Sequence, residues 1–165
     1  MALVKQHLLS PNILIMINKK HIKEVHHGRC LCGKVTYQVS GKPKIVAHCH
    51  CVDCQRLSGT GHLPGAMYSI DQFQLSGEVG EYKLQSDNNT EVTRVFCQNC
   101  GSPILGKNSG MPGFITITLG TLDDSSTFEP EVVIFSRNQM KWDIMSESLI
   151  SYQAQPDWSP HDEDT

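Results

Sequence analysis

The sequence predicts a mainly β fold, an antiparallel β domain built around zinc–cysteine sites, and three observations carry that expectation. From Gly28 onward the chain is a succession of short β-type runs separated by Gly, Ser, Asn and Asp, several of them alternating apolar and polar residues. No stretch carries the apolar spacing of a long helix. Seven cysteines fall in three tight clusters: Cys30-Leu31-Cys32, Cys49-His50-Cys51-Val52-Asp53-Cys54 and Cys97-Gln98-Asn99-Cys100. Cysteines one or two residues apart can turn their sulfurs toward one tetrahedral ion, whereas a disulfide between such near neighbours is strained.

In chain order, residues 1–25 are expected to be an extension, a helix or a disordered arm, because they lack the turn punctuation and the cysteines of the remaining chain. A zinc-binding domain is expected over 26–153. Its predicted strands are 34–39, 45–49, 66–69, 73–75, 80–84, 93–96, 104–105, 114–119 and 132–135. In the first of these Val35, Tyr37 and Val39 share one face, which is expected to be core, while Thr36 and Gln38 face outward. The run from Gln85 to Thr90 reads as a hairpin loop and that from Asn108 to Gly113 as a second, mobile one. Residues 154–165 are expected to fray as an acidic tail.

At 165 residues the chain is long enough to bury a core without disulfides. Its 14 Lys and Arg against 17 Asp and Glu give no broad positive field, which argues against a nucleic-acid partner. The apolar run Leu8 to Ile17 is broken by Ser10, Pro11 and Asn12 and is too short to span a bilayer, so no membrane partner is expected. With no convincing cleavage site and an odd, clustered set of cysteines, a cytoplasmic protein with free thiols is the expectation. No glycine-rich phosphate loop is present, so nucleotide chemistry is not indicated.

Seven thiolates make one closed four-cysteine site and leave three, the number of protein ligands at a catalytic zinc with an open position. The alternative is a second closed site completed by His48 or His50. An extended backbone from His48 to Cys51 would put Cys49 and Cys51 on one side and the two histidines on the other, which argues against a local histidine ligand. A turn there would weaken that objection, and His26, His27 or His62 could arrive from elsewhere. Joining Cys30 and Cys32 to Cys97 and Cys100 closes a loop of about seventy residues and restrains both ends of the domain. The rival partition gives Cys30 and Cys32 two of the middle three, and spacing alone leaves both open.

The segments Gly28-Arg29-Cys30-Leu31-Cys32-Gly33-Lys34-Val35-Thr36-Tyr37, Cys49-His50-Cys51-Val52-Asp53-Cys54-Gln55-Arg56 with Ser58-Gly59, and Phe96-Cys97-Gln98-Asn99-Cys100-Gly101-Ser102 resemble the glutathione-dependent formaldehyde-activating enzyme family, also called the centromere protein V type. The resemblance runs from about Gly28 to about Tyr152, with Phe73-Gln74-Leu75-Ser76-Gly77, Tyr82 and Trp142 included. It implies an Mss4-like β fold with two zincs per chain, a structural one on Cys30, Cys32, Cys97 and Cys100 and a catalytic one on Cys49, Cys51 and Cys54. It also implies a carbon–sulfur lyase activity, in which glutathione adds to formaldehyde to give S-hydroxymethylglutathione.

A three-thiolate zinc is a poor Lewis acid, so binding a thiol substrate suits it better than activating water. Arg56 is a candidate for holding a substrate carboxylate. His48 and His50 could relay protons, although neither is expected to be the catalyst. Asp53 most simply caps a turn, Gly33 and Gly101 give the tight turns after their cysteine pairs, and Trp142 and Phe135 are expected in the core. A non-catalytic zinc-binding interaction module is the alternative function, thinly supported by Lys19, Lys20 and Lys23. A redox sensor using Cys51 and Cys54 ranks last, because it lacks a thioredoxin-like βαβ context.

Overall fold

The computed structural model describes residues 24–157. The expected N-terminal extension up to residue 23 and the tail from residue 158 lie outside the described residues. The elements are β1 (Val25–Arg29), β2 (Thr36–Ser40), β3 (Ile45–Cys49), α1 (Val52–Ser58), β4 (Leu63–Ser69), β5 (Phe73–Ser76), β6 (Val79–Gln85), β7 (Glu91–Cys97), β8 (Pro103–Asn108), β9 (Phe114–Thr118), β10 (Val132–Ile134) and β11 (Ile150–Ser151). The mainly β expectation holds. β1, β2 and β5 form a small antiparallel sheet, and the other eight strands a large one in the order β11-β10-β3-β4-β9-β8-β7-β6.

The large sheet is antiparallel from β3 through β6, but β10 joins β3 in parallel and β11 joins β10 in parallel. Parallel pairing needs a long return connection. Residues 119–131 supply it, partly by binding the small sheet, where the Asp123 N–H donates to the His27 carbonyl and Gly28 bridges Leu122.

Alternation decides which face of each strand is core. Val35, Tyr37 and Val39 are buried as expected, with 4 % exposure at most, and pack with Val46, Ala66, Tyr68, Val95, Leu105, Ile115 and Ile117 of the large sheet. Each aliphatic side chain so buried contributes about 1.5–3 kcal/mol relative to leaving it in water. The opposite face of the large sheet carries the residues one step out of phase: Ile45, Ala47 and Cys49 of β3, Leu63, Gly65 and Met67 of β4, Thr116 and Thr118 of β9, Gly106 of β8 and Arg94 of β7. Most of these are half-buried, so among the described residues this face is only partly covered.

The turn predicted over Gln85 to Thr90 closes the β6–β7 hairpin, with Ser86 N–H donating to Thr90 O and Asn89 at φ 57°. The segment from Asn108 to Gly113 spans the end of β8 and its connection to β9. One core expectation fails. Trp142 is 67 % exposed, because the stretch between β10 and β11 runs as a chain of bends that no other described element covers. Phe135 is half-buried, at φ 57°, with the Arg137 guanidinium 6.0 Å from its ring centre.

The small sheet is held tightly at Gly28, where a Cβ would run into the ring of Tyr37, itself fixed by a 2.9 Å hydrogen bond with Thr121 Oγ1. Gly28→Ala is therefore expected to destabilise the fold by about 1–3 kcal/mol, the usual cost of overpacking, read as a lower midpoint in urea unfolding.

Candidate metal centres

The seven cysteines are free thiols and collect into two groups, Cys30, Cys32, Cys97 and Cys100 in one and Cys49, Cys51 and Cys54 in the other, the sulfurs of each lying within 4.8 Å of one another. The four-cysteine group is made by two turns of one design. Cys30 N–H donates to Val35 O at 3.0 Å across the first, and Cys97 N–H to Ser102 O at 3.0 Å across the second. Each turn ends in a left-handed glycine, Gly33 at φ 75° and Gly101 at φ 74°, a conformation that side chains with a Cβ rarely adopt. The turns are laced together by Leu31 N–H to Ser102 Oγ and by Lys34 Nζ to Asn99 Oδ1.

The sulfur separations test whether a metal fits. Cys30 and Cys32 are 3.5 Å apart and Cys32 and Cys97 3.8 Å. A disulfide needs about 2.05 Å. Four sulfurs arranged tetrahedrally at about 2.3 Å from one ion stand about 3.8 Å apart, and that is what this group approaches. Burial pushes the Cys97 thiol up to about 11 despite nearby backbone N–H groups, while the Ser102 hydroxyl and backbone bring Cys100 down to about 5. Burial opposes a charge on Cys30 as well, yet the Val35 N–H and the neighbouring sulfurs leave it lowered.

The trio sits where β3 runs into α1. Cys49 ends the strand, Cys51 is the N-cap of the helix, and Cys54 is the buried residue of its first turn. The Cys51 sulfur accepts the Cys54 N–H at 3.3 Å, so the helix start is capped by a thiol. Asp53, expected as a turn cap, is instead an exposed first-turn residue. The helix ends after two turns at Gly59, φ 70°, whose N–H returns to Gln55 O. Hydrogen bonds from Cys49 and Cys54 hold the Cys51 thiol down to about 2, and the shared proton pushes Cys49 far up. At Cys54 the bond with Cys49 lowers the thiol, but the bond to Cys51 and burial outweigh it and leave it at about 11. Three thiols packed this closely cannot all ionise unless a cation joins them, the behaviour expected of metal ligands.

One cation is already present. Arg94 on β7 reaches across β8 to place Nη2 3.4 Å from Cys54 Sγ. It passes over Gly106, its register partner, where a Cβ would come within 2.8 Å of the guanidinium. Sequence reasoning missed Arg94. The available signal was an arginine in an otherwise apolar run leading into Cys97. Arg56 is exposed in the last turn of α1, two residues and so about 200° around the helix from buried Cys54.

His48 and His50 lie away from the trio, as the alternation argument expects. They gather with His62 instead: the His48 and His62 rings are 4.5 Å apart, those of His50 and His62 5.3 Å. A groove lined by Arg29, Gln38, Gln74 and Asp123 among others runs over the small sheet and includes no member of the trio.

Residues 25–138 match the family model described as glutathione-dependent formaldehyde-activating enzyme. A crystal structure of a Rhodobacter sphaeroides protein is similar at 17 % identity and a TM-score of 0.49, over 76 % of this chain and 98 % of that one. No curated protein matches the chain.

The two groups differ in what they join, since one ties strands 65 residues apart while the other is local to β3 and α1. Cys97→Ser is expected to aggregate or lose its cooperative thermal transition, and Cys51→Ser to keep a near-normal circular dichroism spectrum and melting point. Equal loss from both would mean that both groups hold the fold together.

Proposed function

The chain belongs to the glutathione-dependent formaldehyde-activating enzyme family, and from that premise we propose that it is a zinc-dependent carbon–sulfur lyase-type enzyme acting on glutathione or a related thiol and an aldehyde such as formaldehyde. The observation that carries this reading is the convergence of Cys49, Cys51 and Cys54 at the edge of a partly covered sheet face, with an arginine against them.

In this reading Cys30, Cys32, Cys97 and Cys100 hold a structural zinc, and Cys49, Cys51 and Cys54 hold a second with one position free for substrate. When bound there, zinc would favour the thiolate of an incoming thiol over the free thiol, whose pKa is about 8.5, and hold its sulfur in place. The remaining work belongs to the chain. The trio contributes three negative charges to one spot, and the Arg94 guanidinium offsets part of that charge. Gly106 lets the Arg94 side chain lie over β8 on its way to Cys54, and Thr116 fills the space over Gly65, so the guanidinium and the trio meet on one face of the sheet. Positioning the two reactants converts a bimolecular addition into an oriented one. In the reaction a carbon–sulfur bond forms as the thiol sulfur adds to the aldehyde carbon, the carbonyl π bond breaks, and the thiol proton ends on the new hydroxyl.

Saturable binding of glutathione to the zinc-loaded protein, followed by calorimetry, is expected, with S-methylglutathione binding at least about tenfold more weakly because its capped sulfur cannot become a thiolate. Cys51→Ser is expected to abolish the difference. Equal binding of the two compounds to the unaltered protein would sink the thiolate mechanism, and no binding of either would favour a non-catalytic zinc module.

A further inference from the structure

On the core side of β3, away from the trio, a third group of donor atoms converges. His50, His62 and Asp143 each bring a ligand atom within 4.8 Å of the others. Asp143 Oδ2 is 2.8 Å from His62 Nδ1 and 3.4 Å from His50 Nδ1. Two nitrogens and an oxygen at about 2.1 Å from one ion stand about 3.0 Å apart in octahedral and about 3.4 Å apart in tetrahedral geometry; the His50 separation matches the second and the His62 separation falls slightly short of the first.

An ordinary His–Asp hydrogen bond explains His62, but it leaves His50 unexplained. His50 is fully buried, with Asp143 Oδ2 3.4 Å from its Nδ1 and the Gly61 backbone beside it, yet among the described residues neither ring nitrogen makes a well-formed hydrogen bond. A buried imidazole held only by such long or poorly aligned contacts gives up much of the hydrogen bonding it would have in water, so a further partner is expected. His48 Nδ1, beside the same group, is buried and unpartnered as well.

The chain is shaped to admit the carboxylate. A Cβ at Gly61 would run into the Asp143 side chain, so only glycine fits. The Asp143 segment is also fastened in place. Gln139 Nε2 donates to Asp143 O, Asp143 N–H donates to Met140 O, and Gln55 Nε2 donates to both His50 O and Asn138 O.

We propose that His50, His62 and Asp143 form a third metal site, taking a divalent first-row transition ion through two imidazoles and one carboxylate. Two neutral imidazoles and one carboxylate leave a bound dication with a net charge of plus one, the reverse of the thiolate-rich trio, so the two sites differ in metal preference. Donors from the end of β3, the loop before β4 and the segment after β10 are joined by one ion. Binding thereby fastens the C-terminal segment to the large sheet and stabilises the folded state by linkage.

The test uses tag-free, full-length protein whose thiols have first been saturated with zinc under reducing conditions. Cobalt(II) binds thiolates less tightly than zinc and does not displace it. The expected result is one further equivalent of cobalt per chain, weak visible absorption without a sulfur charge-transfer band, and a higher melting temperature. His62→Ala and Asp143→Ala, both at partly accessible positions, are expected to lose that equivalent and the thermal gain while keeping their thiol-bound zinc and circular dichroism spectrum. No extra cobalt on the unaltered protein, a sulfur charge-transfer band, or equal uptake by the variants would each overturn the proposal.

Discussion

Four sulfurs from two turns 65 residues apart are held within 4.8 Å of one another, and most of the architecture depends on that meeting. The turn at Cys30 leads into β2 of the small sheet, and that at Cys97 joins β7 to β8 of the large one. Their junction clamps the two layers at one end of the core, and Cys30 and Cys97 are part of that core. Thiols gain little from each other and thiolates repel, so the arrangement calls for a cation at its centre.

With the sheets fixed, alternation along β3 sorts the chemistry. Odd positions Cys49 and Cys51 turn toward α1 and the partly covered sheet face; even positions His48 and His50 turn to the core side. The end of β3 and the two residues after it therefore serve a sulfur-rich group and a nitrogen–oxygen group back to back. Arg94 joins the first from four strands away because Gly106 lets it pass. Asp143 joins the second from the C-terminal segment because Gly61 does the same. In both places the missing side chain admits a charged one.

Much of this was legible in the residues, and the misses have physical causes. β3 was bounded at Ile45 and Cys49 from its apolar run and the cysteine that ends it. β4 begins three residues before the expected strand 66–69, because Pro64 and Gly65, ordinarily strand breakers, both lie within the ladder with β3. β1 was invisible because Val25-His26-His27-Gly28-Arg29 carries no apolar alternation and buries only its glycine; main-chain pairing to β2 makes it a strand. α1 leaves no clear mark in the sequence, because seven residues give too little helical period and its cap is a cysteine rather than the usual Ser, Thr, Asp or Asn. The grouping of the cysteines followed from loop closure and from resemblance. The approach of Asp143 to His62, 81 residues apart, had no local signal at all.

The central claim is that two separate thiolate groups each hold a zinc ion, one closing the fold and one facing substrate. It is tested most directly by titrating freshly purified, reduced protein with a thiol-blocking mercurial while the freed zinc is counted with a chromophoric chelator. Two zincs released per chain, the first without loss of fold and the second together with unfolding, is the expected result. Release of a single zinc, or of both in one step with the unfolding transition, would contradict it.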